Sequence, residues 1–230
     1  MQVEWYGQSA FRLSANDATV FIDPFGDMSG LESRGIRFDY PAICDVDADL
    51  LLVTHEHRDH NAVEVIGGSP SVLRSTAGKL ESPLGEVLAV ASEHDTAAGT
   101  ERGPNTIFVF ELEGVRVCHF GDFGQASLRE EQAQAIGAVD LLFVPVGGGP
   151  TIGAEQAAEI AQRLGAKWVV PMHYRTERVS FLEPVDPFLE LMPHVVRMDV
   201  ARFATKDLSD GDAGPVAVVP AAPCRSEPTP

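Results

Sequence analysis

The chain predicts an α+β fold in which two β-sheets pack face to face and helices cover the outer faces. Short apolar or alternating runs of strand length fill the first half. The second half changes to an order of helix, strand, helix, strand. The runs are too many for one flat sheet, and a sheet must bury a face against another layer.

The elements follow in chain order. Val3 to Tyr6 and Phe11 to Leu13 alternate apolar with polar residues, and Thr19 to Ile22 is a β-branched apolar run. Gly26 to Ile43 holds three glycines, a proline and no period, which predicts a lid or a solvated connection. Leu50 to Thr54 reads as a buried strand, followed by strands at Val72 to Arg74, Glu86 to Ala91, Ile107 to Leu112 and Val115 to Phe120. Ser127 to Ile136 predicts a helix, and Leu141 to Val146 a strand buried on both faces. Gly147-Gly148-Gly149-Pro150-Thr151 then reads as a tight turn with Thr151 as the helix N-cap. Ala154 to Leu164 places Ala157, Ile160, Ala161 and Leu164 on one helical face and stops at Gly165. Trp168 to Met172 is a strand, Pro187 to Leu191 a short helix and Val195 to Val200 a last strand. The predicted domain is 1–208. Residues 209–230 hold five of the sixteen prolines and no aromatic residue, which predicts a loosely ordered tail with strand character only at Val216 to Val219.

Composition narrows the function. A length of 230 residues, 44% hydrophobic and 22% charged, suits one globular domain. Its apolar runs are far short of the ~20 residues of a spanning helix. Met1 to Trp5 enters alternating sequence without a basic leader or apolar core, so a cytoplasmic address is expected. The net charge of -17 repels phosphate backbones and anionic lipid. A small-molecule substrate is therefore expected, with no nucleic acid or membrane partner and a homo-oligomer left open. Cys44, Cys118 and Cys224 are odd in number and widely spaced, matching neither a disulfide framework nor a zinc ribbon.

The chemistry concentrates in Thr54-His55-Glu56-His57-Arg58-Asp59-His60, where a buried strand runs into His-x-His-x-Asp-His. Two positions apart in extended chain, His55 and His57 project to the same side and can share a metal. Asp59 and His60, where the chain turns, can aim at a second. Two ions ~3.5–4 Å apart need about seven ligands, of imidazole and carboxylate type for borderline divalent metals. His94, Asp122 and His173 each follow a predicted strand and share that address, and Gly121 lets the chain turn to present Asp122.

These residues resemble those of the metallo-β-lactamase superfamily. Ile22-Asp23-Pro24, His55 to His60, Glu93-His94, Gly121-Asp122 and Pro171-Met172-His173-Tyr174 occur in that family's order and span residues 1 to about 200. The resemblance implies a four-layer αββα sandwich of two mixed sheets. It implies one metal on His55, His57 and His94, another on Asp59, His60 and His173, and Asp122 bridging. Two divalent ions are implied, zinc first and Mn2+ or Fe2+ next, activating a hydroxide for hydrolysis. Asp59 is the candidate catalytic proton shuttle. An Asp at position 122, where antibiotic-hydrolysing relatives carry Cys, argues against β-lactamase activity. The stretch around His173 and Val144-Pro145-Val146-Gly147-Gly148 are similar to the branch that includes L-ascorbate 6-phosphate lactonase, which implies a small, anionic ester or lactone. The alternatives are a phosphodiesterase, an iron-dependent oxidoreductase on the same ligands, and a metal-binding scaffold without catalysis.

The resemblance places Asp23 beneath the first histidine cluster, accepting an imidazole N–H that fixes ring orientation, the alternative being an ordinary turn aspartate before Pro24. His119, beside the Asp122 turn, is a second candidate for such support, the alternative being simple packing on its strand. Arg175, two residues after His173, carries a fork suited to a substrate carboxylate or phosphate. His194 is expected at the surface.

Overall fold

The computed structural model describes residues 1–16, 18–209 and 214–224. The first part of the chain forms β1 (Gln2–Gly7), β2 (Ala10–Ala15), β3 (Ala18–Ile22), β4 (Val46–Asp47), β5 (Leu50–Val53), β6 (Ile66–Gly67) and β7 (Ser71–Arg74). An antiparallel meander follows in β8 (Gly78–Ser82), β9 (Gly85–Glu93), β10 (Pro104–Leu112) and β11 (Val115–His119). The remainder alternates α1 (Glu130–Ile136), β12 (Leu141–Pro145), α2 (Ala154–Arg163), β13 (Trp168–Met172), α3 (Asp186–Glu190) and β14 (His194–Arg197), and ends in β15 (Arg202–Ala204) and β16 (Val216–Val219).

One sheet has the order β15-β1-β2-β3-β5-β7 and the other β14-β16-β13-β12-β11-β10-β9-β8, while β4 and β6 pair separately. Both large sheets are mixed: β3, β5 and β7 run parallel beside the antiparallel β1–β2–β3 meander, and β11, β12, β13, β16 and β14 run parallel beyond β10. The predicted α+β sandwich is borne out.

Period-two alternation decides which side chains enter the layer between the sheets. Val20 and Ile22 of β3 and Leu50 and Leu52 of β5 join that core, whereas Phe21 and Leu51 belong to a separate outer cluster. Phe11 of β2 meets Phe143 of β12 across the layer with ring centroids 4.5 Å apart. Each fully buried ring of this kind contributes ~2 kcal/mol. Beside β12 and β9, α2 and α1 cover the second sheet.

The outer face of the first sheet is covered differently. Phe25, Phe38, Tyr40 and Ile43 pack on Phe21 and Leu51 without an α-helix. A bridge from Phe38 to Val179 and the Asp39 N–H to Arg178 carbonyl bond (2.9 Å) tie this layer to a later loop. Of the expected lid or solvated connection at Gly26 to Ile43, residues 26–37 hold no buried residue, whereas Phe38, Tyr40 and Ile43 fill a core. Thr151 is not the N-cap of α2, a place that Gly153 takes. The domain boundary at 208 is also corrected. Val216–Val219 is fully buried and lies between β13 and β14, because four consecutive apolar residues fit a strand position closed on both faces. Residues 210–213 and 225–230 of the expected tail lie outside the described residues. Among the described residues no helix is long and apolar enough to cross a membrane, and the three cysteines are unpaired.

Candidate metal centre

The candidate residues meet at one edge of the sandwich, where strands leave both sheets. Asp23 follows β3, His55 to His60 follow β5, and His94, Asp122 and His173 follow β9, β11 and β13. Parallel neighbours such as β3 and β5, or β12 and β13, deliver their C-terminal ends to the same edge. Backbone conformations are demanding here. Gln8, Asp23 and His173 all have positive φ, 50°, 51° and 52°, a region that costs a non-glycine residue ~1 kcal/mol or more. Gly121, at φ 56°, has no room for a Cβ, which would run into Asn105 and Thr54.

The donor atoms form two groups about one carboxylate. Ligand-type atoms of His55, His57 and His94 lie within 4.8 Å of one another, as do those of Asp59, His60 and His173. Asp122 Oδ2 stands between them, 3.2 Å from the Nε2 of both His94 and His173, 3.3 Å from that of His60 and 3.9 Å from that of His55. A third grouping, Asp23 with His55 and His60, also falls within 4.8 Å. Its carboxylate is already engaged: Oδ1 accepts the Thr54 N–H at 2.8 Å, and Oδ2 accepts the Thr54 hydroxyl at 2.7 Å and His60 Nδ1–H at 2.9 Å.

Those bonds settle which face of each ring is basic. A carboxylate oxygen only accepts, so the proton lies on His60 Nδ1 and the lone pair on Nε2. The Thr54 hydroxyl, donating to Asp23, accepts from His55 Nδ1 at 3.1 Å. His94 Nδ1 donates to the Pro150 carbonyl at 3.0 Å. The Nε2 atoms of His55 and His60 are then buried with no hydrogen-bond partner among the described residues. Buried, convergent nitrogen lone pairs around a carboxylate fit a divalent cation.

Electrostatics agree. Burial, reinforced by His60, pushes His55 well below the usual imidazole range, and burial with His94 lowers His57. Burial would raise Asp122, but His173 and His60 outweigh it and hold the carboxyl well below its ordinary range. Asp59 is likewise lowered because His60 overcomes burial. His60 is raised, since Asp122, Asp59 and Asp23 overcome its burial. Neutral imidazoles and ionised carboxylates are the forms that ligate metals, so His55, His57, Asp59 and Asp122 are already in that form. His60, by contrast, is held as a cation by the surrounding carboxylates and would give up its Nε2 proton to a bound divalent ion.

His119 is fully buried and touches no ligand side chain through its hydrogen bonds. Its Nδ1 accepts from the Gly121 N–H at 3.1 Å and its Nε2 donates to the Ser9 carbonyl at 3.0 Å, so it braces the backbone on both sides of Asp122. Sequence reasoning missed several supports of that carboxylate. Ser9 donates to Asp122 Oδ1 at 3.4 Å, and Asn105 accepts the Asp122 N–H at 3.0 Å while donating to the Phe120 carbonyl at 2.8 Å. No local pattern marks Ser9, Asn105 or Pro150. Thr54 had a signal, its place directly ahead of His55. Arg175 is exposed, with its guanidinium 3.9 Å from Glu183, and His194 is exposed at the start of β14.

A cavity of about 310 Å³ opens beside His55 and His57, walled by Thr76, Ala77, Ala91, Pro104, Thr106 and Arg102 among others. Glu56 on its wall is held by Arg74 and lowered to about 2. The Asp95 carboxylate accepts backbone N–H bonds from Ala97, Gly99, Glu101 and Arg102 at 2.7–3.1 Å, folding the loop between His94 and Arg102.

Comparison with known proteins matches this picture. A family model described as a beta-lactamase superfamily domain matches residues 2–173. A UPF0173 metal-dependent hydrolase of Geobacillus thermodenitrificans is 30% identical, over 84% of this chain and 93% of the relative. A crystal structure from Thermotoga maritima, of a candidate Zn-dependent hydrolase of the metallo-β-lactamase superfamily, is 32% identical with a TM-score of 0.74, covering 95% of this chain and 98% of the other. A diiron β-hydroxylase from Streptomyces venezuelae shares the fold alone, at 19% identity and a TM-score of 0.53 over 75% of this chain and 44% of the other. The chain belongs to the metallo-β-lactamase superfamily and is a metal-dependent hydrolase of that fold.

Proposed function

We propose that the enzyme is a binuclear hydrolase of small esters or lactones bearing one anionic group. His55, His57 and His94 would hold one ion and Asp59, His60 and His173 the other, zinc being the metal best suited to this donor set. The observation that carries the reading is the single oxygen of Asp122 placed within 3.9 Å of four Nε2 atoms drawn from both groups. Bound divalent ions supply an acidified water and polarise a carbonyl or phosphoryl oxygen. Asp59 has a partly exposed side chain, while Asp122 and Asp23 are buried. It is therefore the carboxylate able to exchange a proton between the centre and a leaving group.

The cavity beside His55 and His57 supports a small substrate, since ~300 Å³ lies at the small end of ligand pockets. Its wall is mainly apolar, and Arg102 has no ion-pair partner among the described residues. An uncommitted guanidinium at such a wall suits a carboxylate or phosphate. Arg175 lies outside this wall and faces Glu183, so we assign anion binding to Arg102 in its place. The resemblance of Pro171-Met172-His173-Tyr174 to the lactonase branch favours a ring ester.

Elemental analysis of gently purified protein, followed by turnover of anionic and neutral lactones of equal ring size, tests the reading. Two zinc ions per chain and a preference for the anionic lactone are expected. Arg102→Ala should raise KM for it about tenfold or more with little change in kcat. Iron with oxygen consumption, or cleavage of a simple phosphodiester in place of lactones, would replace this function; metal without turnover of any of these would leave a scaffold.

A further inference from the structure

Three of the buried histidines at the centre have their rear nitrogen held: His55 Nδ1 by the Thr54 hydroxyl, His60 Nδ1 by Asp23 and His94 Nδ1 by the Pro150 carbonyl. His173 differs. Its Nε2 faces Asp122 at 3.2 Å, yet its Nδ1 is buried and makes no hydrogen bond among the described residues. A ring that presents Nε2 to a cation carries its proton on Nδ1, and a buried N–H needs an acceptor.

A second orphan stands beside it. Gln8 is fully buried, and neither Oε1 nor Nε2 of its side chain has a partner among the described residues. Gln8 occupies the turn between β1 and β2, with φ at 50°. Its own carbonyl accepts the His173 N–H at 3.3 Å and Trp5 Nε1–H at 3.1 Å, so the two orphaned side chains spring from backbones that are bonded to each other. The next residue, Ser9, reaches Asp122. The turn therefore touches the backbone of one ligand and the carboxylate of another.

We propose that Gln8 is the positioning residue of His173: in the metal-loaded protein its Oε1 accepts the Nδ1–H, fixing Nε2 toward the centre. This rests on the binuclear reading above. Such a bond would satisfy a buried donor and a buried acceptor together.

The test uses full-length protein loaded with zinc. Long-range proton–nitrogen NMR of the histidine rings should show His173 protonated at Nδ1, with a slowly exchanging proton. Gln8→Leu should lose that slow exchange and bind the second zinc 10- to 100-fold more weakly with the first unchanged. Gln8→Glu, which keeps an acceptor, should restore the second zinc. Metal on His173 Nδ1 in the wild type would overturn the proposal, and that measurement stands even if the leucine variant does not fold. So would a leucine variant that keeps wild-type zinc affinities, or one that loses both zincs alike together with its melting temperature. A wild type that takes up no zinc would overturn the binuclear reading itself and this assignment with it.

Discussion

Asp122 shows how much one side chain carries here. It is the point where candidate ligands from three other strand exits converge, and its own placement depends on Ser9, Asn105 and the His119-braced backbone. Asp122→Ala should remove metal and activity together, with activity down ~100-fold or more, while His194→Ala leaves both at wild-type level. Metal content by mass spectrometry and turnover on the same samples check this; an Asp122 variant holding two ions with full turnover would end the bridging role. Asp23 holds a candidate ligand from behind, through His60 Nδ1. Asp23→Ala leaves the Thr54 N–H and His60 Nδ1–H without acceptors in a dry interior, which should cost roughly 2–3 kcal/mol of stability and 10- to 100-fold in metal affinity. Urea denaturation of the apo-protein separates the first effect from the second. From the residues alone Asp23, at the end of an apolar strand before Pro24, reads as a turn aspartate, and only the family resemblance marked it as a support for an imidazole. That the imidazole is His60, with Thr54 as the shared partner, depends on the pairing of β3 with β5.

At the level of elements, the parallel strands β11, β12 and β13 must start in register for their far ends to share an edge. Asp140 helps to set that start. Its carboxylate accepts the Arg116 N–H of β11 at 2.9 Å and Lys167 Nζ at 2.7 Å, and its carbonyl accepts the Trp168 N–H of β13 at 2.9 Å. Burial would raise its carboxyl, but Lys167 and the Arg116 N–H outweigh burial and lower it. A carboxyl lowered by folding stabilises the native state fully above its unfolded value of ~3.9, and that contribution disappears as pH falls through the lower folded value. Asp140→Asn should therefore lower stability by ~1–2 kcal/mol at pH 7, and its gap to wild type should narrow below about pH 4. Thermal melts across that range check the sign; a gap that widens on acidification would contradict it. Periodicity located these strands because apolar runs such as Leu141 to Val146 are bounded by turn residues. It missed β8, whose Gly-Lys-Leu-Glu-Ser sequence is largely polar and gains strand geometry from its partner β9.

For the whole molecule, the return of the chain into its own sheet is the feature with the largest consequence. Since β14 is joined to the second sheet through β16 alone, removal of residues 209–230 would unseat β14 and open the edge of β13. Re-exposing the four buried residues of β16 alone removes ~5 kcal/mol of burial, comparable to the whole stability of many domains. A chain ending at residue 208 is expected to be insoluble or unfolded when expressed beside the full chain, by circular dichroism and gel filtration. A soluble, cooperatively melting truncation would show that β14 and β13 close without it.

The candidate ligand residues were legible in the sequence, because their placement at strand exits depends on local geometry and their grouping on the family resemblance. His55 and His57 share a side by the two-residue repeat of extended chain, and His94, Asp122 and His173 are each fixed at a strand exit by the apolar run before them. Tertiary structure decided their partners and their ligand space. Ser9, Asn105 and Pro150 reach the centre only because strands distant in sequence are neighbours in the sheets, and Arg102 faces the cavity only because Asp95 folds its loop. Val216 to Val219 looks like any short apolar run until β13 and β14 leave a gap of its length between them. Periodicity is a property of one segment's backbone, whereas convergence depends on the order and register of the sheets, which no single segment encodes.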